Sequence, residues 1–156
     1  RDTALKTFKP LELEKKLNID SNDLSKLIKR EPFIPISEEG VAFTEALTEK
    51  CVEEALNRHI GDLRRVFTTN GFKVIPEGKD LTMLKGVFLT GGALIHHPNP
   101  KKVIQDYLEK QTTKLIPSAK TPTYIDHDYI FASIGVLSHR YKEQAKILLN
   151  NTLRWE

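Results

Sequence analysis

The chain has 156 residues, 39% of them hydrophobic and 29% charged, with a formal net charge of +3; that length and balance suit an α/β domain with a core of its own. Acidic and basic residues interleave, as in Glu12-Leu13-Glu14-Lys15-Lys16, which reads as a solvated surface and leaves no electrostatic footprint for nucleic acid. No apolar run approaches the roughly 18 residues a membrane span requires, and Arg1-Asp2-Thr3 carries none of the apolar core of a signal peptide.

The chain opens without Met inside a charged stretch and reads as a fragment of a longer protein, or as a trimmed one. Leu11, Leu13 and Leu17 mark a short amphipathic helix. Asp20 or Ser21 can cap the next, which carries Leu24, Leu27 and Ile28 and stops before Pro32, because the residue ahead of proline disfavours the α region. Phe33-Ile34-Pro35-Ile36 is then an extended connector, dividing the chain into a helical segment over 1–36 and an α/β lobe over 37–156. Ser37-Glu38-Glu39-Gly40 opens the longest pattern, with acids suited to the first turn of a helix. Its apolar stripe, Val41, Leu47, Cys51, Ala55, Leu56, His59, Ile60, Leu63 and Val66, predicts a helix to about Phe67. That stripe puts Cys51, the single cysteine, in the core and makes His59 a partly buried structural histidine. One cysteine excludes an internal disulfide and fits a reducing, cytoplasmic setting.

Asn70-Gly71 signals a turn into a short strand, Phe72-Lys73-Val74-Ile75. After a second turn at Pro76-Glu77-Gly78-Lys79-Asp80, Leu81 to Lys85 can form a helical turn. Gly86 to Thr90 reads as a strand too apolar to have a wet face, hence buried on both sides in a mixed sheet covered by helices. Asn99 can cap, and Pro100 begin, a helix to about Lys110. Lys114 to Pro117 and Thr121 to Ile125 are extended. Asp126 or Asp128 can cap the apolar helix Tyr129 to Leu137, and a last helix runs from about Tyr141 to Leu153. The alternation of strands and helices gives the α/β class.

Two glycines directly after an apolar strand remove side chains where the backbone turns. At Thr90-Gly91-Gly92-Ala93 a ligand can therefore approach the main chain, and N–H groups can face an anion at the carboxyl end of a strand. A tight strand-to-helix turn with no ligand explains the same residues. Asp126-His127-Asp128 resembles a catalytic cluster but stands where a helix starts, so capping accounts for it. Adjacent His96-His97 has no nearby Cys or His set to complete a zinc pattern, and no metal site is expected. Gly135, inside an apolar helix, serves either close packing against a strand or the Gly91-Gly92 turn, or is simply tolerated. No Gly-x-Ser-x-Gly elbow or Gly-x-x-x-x-Gly-Lys-Ser/Thr loop occurs, and no catalytic residue is assigned.

An apolar strand, Thr90-Gly91-Gly92, a helix, and then Tyr129 to Leu137 with Ala132 and Gly135 together resemble the adenosine-side half of the actin, sugar kinase and heat-shock chaperone ATPase superfamily. More closely, the chain resembles the MutL/GlmL family, accessory proteins encoded with adenosylcobalamin-dependent glutamate mutase and related aminomutases. The matching stretches are Glu31-Pro32-Phe33-Ile34-Pro35, Ala55-Leu56-Asn57-Arg58-His59-Ile60-Gly61, Gly78-Lys79-Asp80-Leu81, Phe88-Leu89-Thr90-Gly91-Gly92-Ala93-Leu94 and Asp128 to Leu137.

The resemblance implies the C-terminal half of an actin-like ATPase fold. It implies an ATP-dependent, chaperone-like role toward a cobalamin mutase, with mutase subunits and nucleotide as partners. Gly91 and Gly92 would face the adenosine and α-phosphate of ATP or ADP, bound with Mg in the full-length protein, and Thr90 and Ala93 would flank them. The superfamily's Asp-x-Gly-x-x-Thr hairpin is missing from these residues, so the fragment holds one wall of a cleft and is not expected to bind nucleotide firmly or hydrolyse ATP alone. Two other roles share the same features: a lobe of a small-molecule kinase, and a protein-binding module that works without nucleotide.

Overall fold

The computed structural model describes residues 2–32 and 34–153; Phe33, the first residue of the expected connector, lies outside them. The chain divides into two compact units, Arg1–Arg58 and His59–Glu156. This division falls after the long helix, where the sequence reading placed it at Ile36, because that helix buries its apolar face against the helices before it.

The first unit contains α1 (Asp2–Leu5), α2 (Glu12–Leu17), α3 (Ser21–Arg30) and α4 (Glu38–His59). Asp20 caps α3 by accepting from the Asp23 N–H at 2.8 Å. Ser37 caps α4 by accepting from the Gly40 N–H at 2.9 Å. Both satisfy N–H groups that a helix start otherwise leaves without partners. The buried carboxylate of Glu31 accepts from the Ile36 N–H at 3.0 Å and the Ser37 hydroxyl at 3.2 Å, fastening the turn between α3 and α4. Leu13, Phe43 and Ala46 form the core, with Phe8, Leu24, Leu27 and Ile28 among the residues packed on it.

Lys50 is buried on α4, with Glu12 and Glu53 at 3.4 Å and Glu54 at 3.5 Å. Burial opposes its charge, but Glu53 and Glu12 outweigh that and hold its pKa above the ordinary lysine value. The Lys9 backbone N–H, and after it Lys50, hold Glu12 below the usual carboxylate range. Replacing Lys50 with Met keeps the stem but leaves three carboxylates facing one another. Breaking a buried pair can cost about 3–5 kcal/mol, but these glutamates are partly exposed, so a loss of about 1–2 kcal/mol is expected at neutral pH. Because the folded pKa of Lys50 is raised, its contribution is complete below the ordinary lysine value of about 10.4 and is lost as pH rises through the higher folded value. Urea denaturation should therefore show Lys50→Met to be destabilising at neutral pH, with the difference from the parent chain shrinking in strong alkali.

The second unit contains β1 (Asp62–Thr68), β2 (Gly71–Glu77), β3 (Val87–Leu89), α5 (Gly92–Ile95), α6 (Pro100–Lys110), β4 (Thr123–Ile125), α7 (Phe131–Ser138) and α8 (Lys142–Thr152). The α/β class holds, and the strands are distributed over two small sheets. β1 and β2 form an antiparallel hairpin in which Thr68 pairs with Gly71, leaving Thr69 and Asn70 as the loop. β3 and β4 are parallel, with Val87 opposite Thr123 and Leu89 opposite Ile125. α6 connects them as a crossover helix, burying Val103, Ile104, Tyr107 and Leu108.

At the open end of the hairpin, Gly61 and Gly78 lie against each other. A side-chain carbon on Gly61 would run into the Glu77 carbonyl oxygen, and one on Gly78 would lie 2.9 Å from the Gly61 Cα. Glycine lets the two backbones meet there, and the Gly61 N–H donates to the Lys79 carbonyl at 2.9 Å. Of the segment expected to be extended, Lys114 to Pro117, the start runs beside β1. The Leu115 N–H donates to the Gly61 carbonyl at 2.8 Å, and the Lys114 ammonium pairs with Asp62 at 2.9 Å.

Several expectations are corrected. The long helix ends at His59, and the residues assigned to its last turns form β1. Cys51 is exposed; Lys50 is the last buried residue of α4, and Cys51 lies one position beyond it. His59 is exposed at the helix end. Leu81 to Lys85 forms turns rather than helix. β3 is not buried on both faces. Leu89 is buried, but Phe88, on the opposite face of the strand, is 52% exposed.

Candidate functional site

β3 and β4 run side by side and end at the same level. The Asp126 N–H, just past β4, donates to the Leu89 carbonyl at 2.9 Å, which sets the two strand ends in register. Asp126 is 1% exposed and its carboxylate is fully engaged. Oδ1 accepts from the Ile130 N–H at 2.9 Å, and Oδ2 accepts from the Phe131 N–H at 3.1 Å and the Thr90 hydroxyl at 2.8 Å. Asp126 thus caps α7 from five residues before its first residue and ties that helix to the end of β3. Tyr129 allows this reach by taking a left-handed backbone, φ 55°, so α7 starts two residues later than expected.

Thr90, Gly91, Gly92 and Ala93 form one continuous turn over these strand ends. Thr90 directs its hydroxyl inward to Asp126 and so holds the turn against β4. Gly91 adopts φ 103° and ψ 137°, a backbone in which a side chain would be strained. Gly92 begins α5, and its φ is not positive. A side-chain carbon placed on either glycine would meet no atom within 4 Å. Internal packing therefore does not demand glycine at 92, and the space over the turn is free. The carboxyl ends of adjacent parallel strands are where open α/β sheets take ligands. First N–H groups of a helix, such as those of Gly92 and Ala93, have no acceptor within the helix.

Other sequence candidates lie apart in role. Capping, not catalysis, occupies Asp126, and the tie from Thr90 to it was hidden from sequence reading by the 36 residues between them. The parallel pairing of β3 with β4 is the one signal that would have revealed it. His97 Nδ1 accepts from the Asn99 N–H at 3.0 Å; the Asn99 side chain makes no cap on α6, and Pro100 takes the first position as expected. Among the described residues no group of three or more His, Cys, Asp or Glu is placed to hold a metal ion. None of the described helices is long and apolar enough to cross a membrane. Gly135 packs against neither a strand nor the Gly91-Gly92 turn, since a side-chain carbon there would meet nothing within 4 Å.

These features define an α/β protein with an open Gly-Gly turn at the carboxyl edge of a parallel strand pair. A family model described as MutL protein matches residues 3–153, and the chain belongs to that family. A curated relative, Protein MutL of Clostridium tetanomorphum, is 30% identical over 122 residues, a stretch covering 77% of this chain and 26% of the relative. The chain thus spans about a quarter of the length of that relative. No solved structure gives a significant match.

Proposed function

We propose that this chain is the C-terminal lobe of an ATP-dependent, chaperone-like accessory protein for an adenosylcobalamin-dependent mutase, built on the C-terminal half of an actin-like ATPase fold. Thr90, Gly91, Gly92 and Ala93 form its nucleotide-facing turn. The observation that carries this reading is the free space above Gly91 and Gly92 at the ends of two parallel strands. Membership of the MutL family supports the accessory role.

The turn fits an adenosine and α-phosphate, which need backbone approach and N–H donors rather than an acidic side chain. Asp126 has both oxygens engaged and is not a magnesium ligand. Magnesium and the outer phosphates would be held by residues of the longer protein outside this chain. When bound, nucleotide would supply the energy of the cycle, and Thr90, Gly91, Gly92 and Ala93 would orient its nucleoside end.

Gly92→Val tests the reading. The position is exposed and uncrowded, so stability should change by no more than about 0.5 kcal/mol. A branched side chain there would occupy the ligand's space, so MgATP affinity of the full-length protein should fall by about ten-fold or more, a cost of about 1.4 kcal/mol. Amide shifts of Gly91 and Gly92 on adding MgATP should mark the contact in the parent protein. Unchanged affinity in Gly92→Val would overturn the proposal. Unchanged MgATP affinity in Gly92→Val, together with capture of mutase subunits that survives nucleotide removal, would instead favour a nucleotide-independent docking module, a reading supported by the exposed apolar residues on α7 and α8, among them Val136 and Ile147.

A further inference from the structure

An open groove of about 550 Å³ lies between β3, α7 and α8. Its floor is apolar, formed by Phe88, Phe131, Ile134 and Leu149. Phe88 stacks on Tyr124 and meets Phe131 edge-on, so the aromatic part of the floor is held in place although it faces water. Apolar surface left in water is unfavourable in proportion to its area.

Gly135 also lines the groove. Glycine within a helix lowers its stability relative to alanine, and here no described residue uses the room it leaves. The result is a notch that a side chain from outside can enter. Lys142 and Lys146 line one rim, a turn apart on one face of α8. Among the described residues neither has an ion pair or hydrogen bond, and no carboxylate lines the groove. Glu143 lies on α8 about 100° around the helix from Lys142 and about 60° from Lys146, and it forms an ion pair with neither. A site that is open, apolar below and cationic along one edge suits the side of a helix better than a small molecule, which needs enclosure.

We propose that this groove docks an amphipathic, acidic helix of a partner protein. Apolar residues at i, i+3, i+4 and i+7 lie on the floor, one of them enters the notch over Gly135, and two carboxylates a turn apart pair with Lys142 and Lys146. This interaction requires no nucleotide and stands apart from the Gly91-Gly92 turn.

The test uses a labelled synthetic helix of roughly four turns with leucines at those positions and glutamates on the flanking edge. Binding to the full 156-residue chain is followed by fluorescence anisotropy and amide shifts. Shifts should centre on Ile134, Ala145 and Leu149. The double variant Lys142→Glu/Lys146→Glu should bind about ten-fold more weakly, and a peptide with its glutamates changed to lysine should recover that loss. Gly135→Leu fills the notch, and with leucine's better helix propensity it should keep or raise the thermal midpoint while weakening binding about ten-fold. Three outcomes would overturn the proposal: shifts confined to the β1–β2 hairpin, indifference to the charge swap, or displacement of the peptide by palmitate at equal concentration. A concentration-dependent dimer abolished by Gly135→Leu would overturn it too, by making the occupant a second copy of this chain.

Discussion

Asp126→Ala should destabilise the chain by about 3 kcal/mol, the upper range for removing a buried hydrogen-bonded group. The carboxylate is 1% exposed and accepts three hydrogen bonds. Its loss leaves the Thr90 hydroxyl and the Ile130 and Phe131 N–H groups without their acceptor, and it frees the start of α7 from the end of β3. Hydrogen bonds to a charged group contribute about 1.5–3 kcal/mol each, but a new cavity can admit water, so the sum is not expected in full. Asp126→Asn keeps the shape and one acceptor oxygen and should cost less than Asp126→Ala. Thr90→Val removes one of the three bonds and should cost least. Urea denaturation of the three variants gives the ranking, and a flat response across them would contradict the capping role. Amide exchange at Ile130 and Phe131 should quicken in Asp126→Ala before any global unfolding.

Phe43→Ala should cost about 3–4 kcal/mol, within the usual range for deleting a buried aromatic ring. Phe43 is 0% exposed and sits at the centre of the small cluster with Leu13 and Ala46. The surrounding residues, Leu24, Leu27 and Ile28 on α3, belong to a ten-residue helix that buries none of its own side chains completely. Such a helix depends on one shared contact surface and cannot refill the cavity. Thermal denaturation should show a lower midpoint, and exchange protection should fall in α3 and α4. Phe43→Leu, which keeps most of the volume, should lose less than half as much.

Local chemistry was legible in the sequence wherever a residue acts on its immediate neighbours. Asp20 and Ser37 cap their helices, Pro100 opens α6, and the strand before Gly91-Gly92 is present. The sequence misled where two periods fit the same residues. Leu63, Val66 and Phe67 continue a helical stripe from α4, yet they also place Leu63 and Phe67 on one face of a strand. The choice is made by pairing with Phe72 to Pro76, which a helical count does not weigh. Burial was the least legible property. Cys51, His59 and Phe88 are apolar or semi-apolar residues in apolar patterns, and each is exposed, Phe88 even though it packs on Tyr124 and Phe131. At the candidate site the glycines were visible and the Thr90–Asp126 tie was not, since it depends on two strands meeting edge to edge.

The hairpin of β1 and β2 is, in mechanical terms, a clamped cantilever. Its root is gripped where Gly61 meets Gly78 and where Leu115 and Lys114 bind Gly61 and Asp62. Seven-residue strands give it an arm of roughly 23 Å at about 3.3 Å per residue. Near the free end sit Phe67 and Phe72, edge to face at 5.2 Å and largely exposed. A rotation of about 10° at the root would carry that aromatic pair roughly 4 Å, given the arm length above. A slight movement at the two glycines would thereby be geared up into a displacement of about 4 Å at the aromatic pair, given the arm length above.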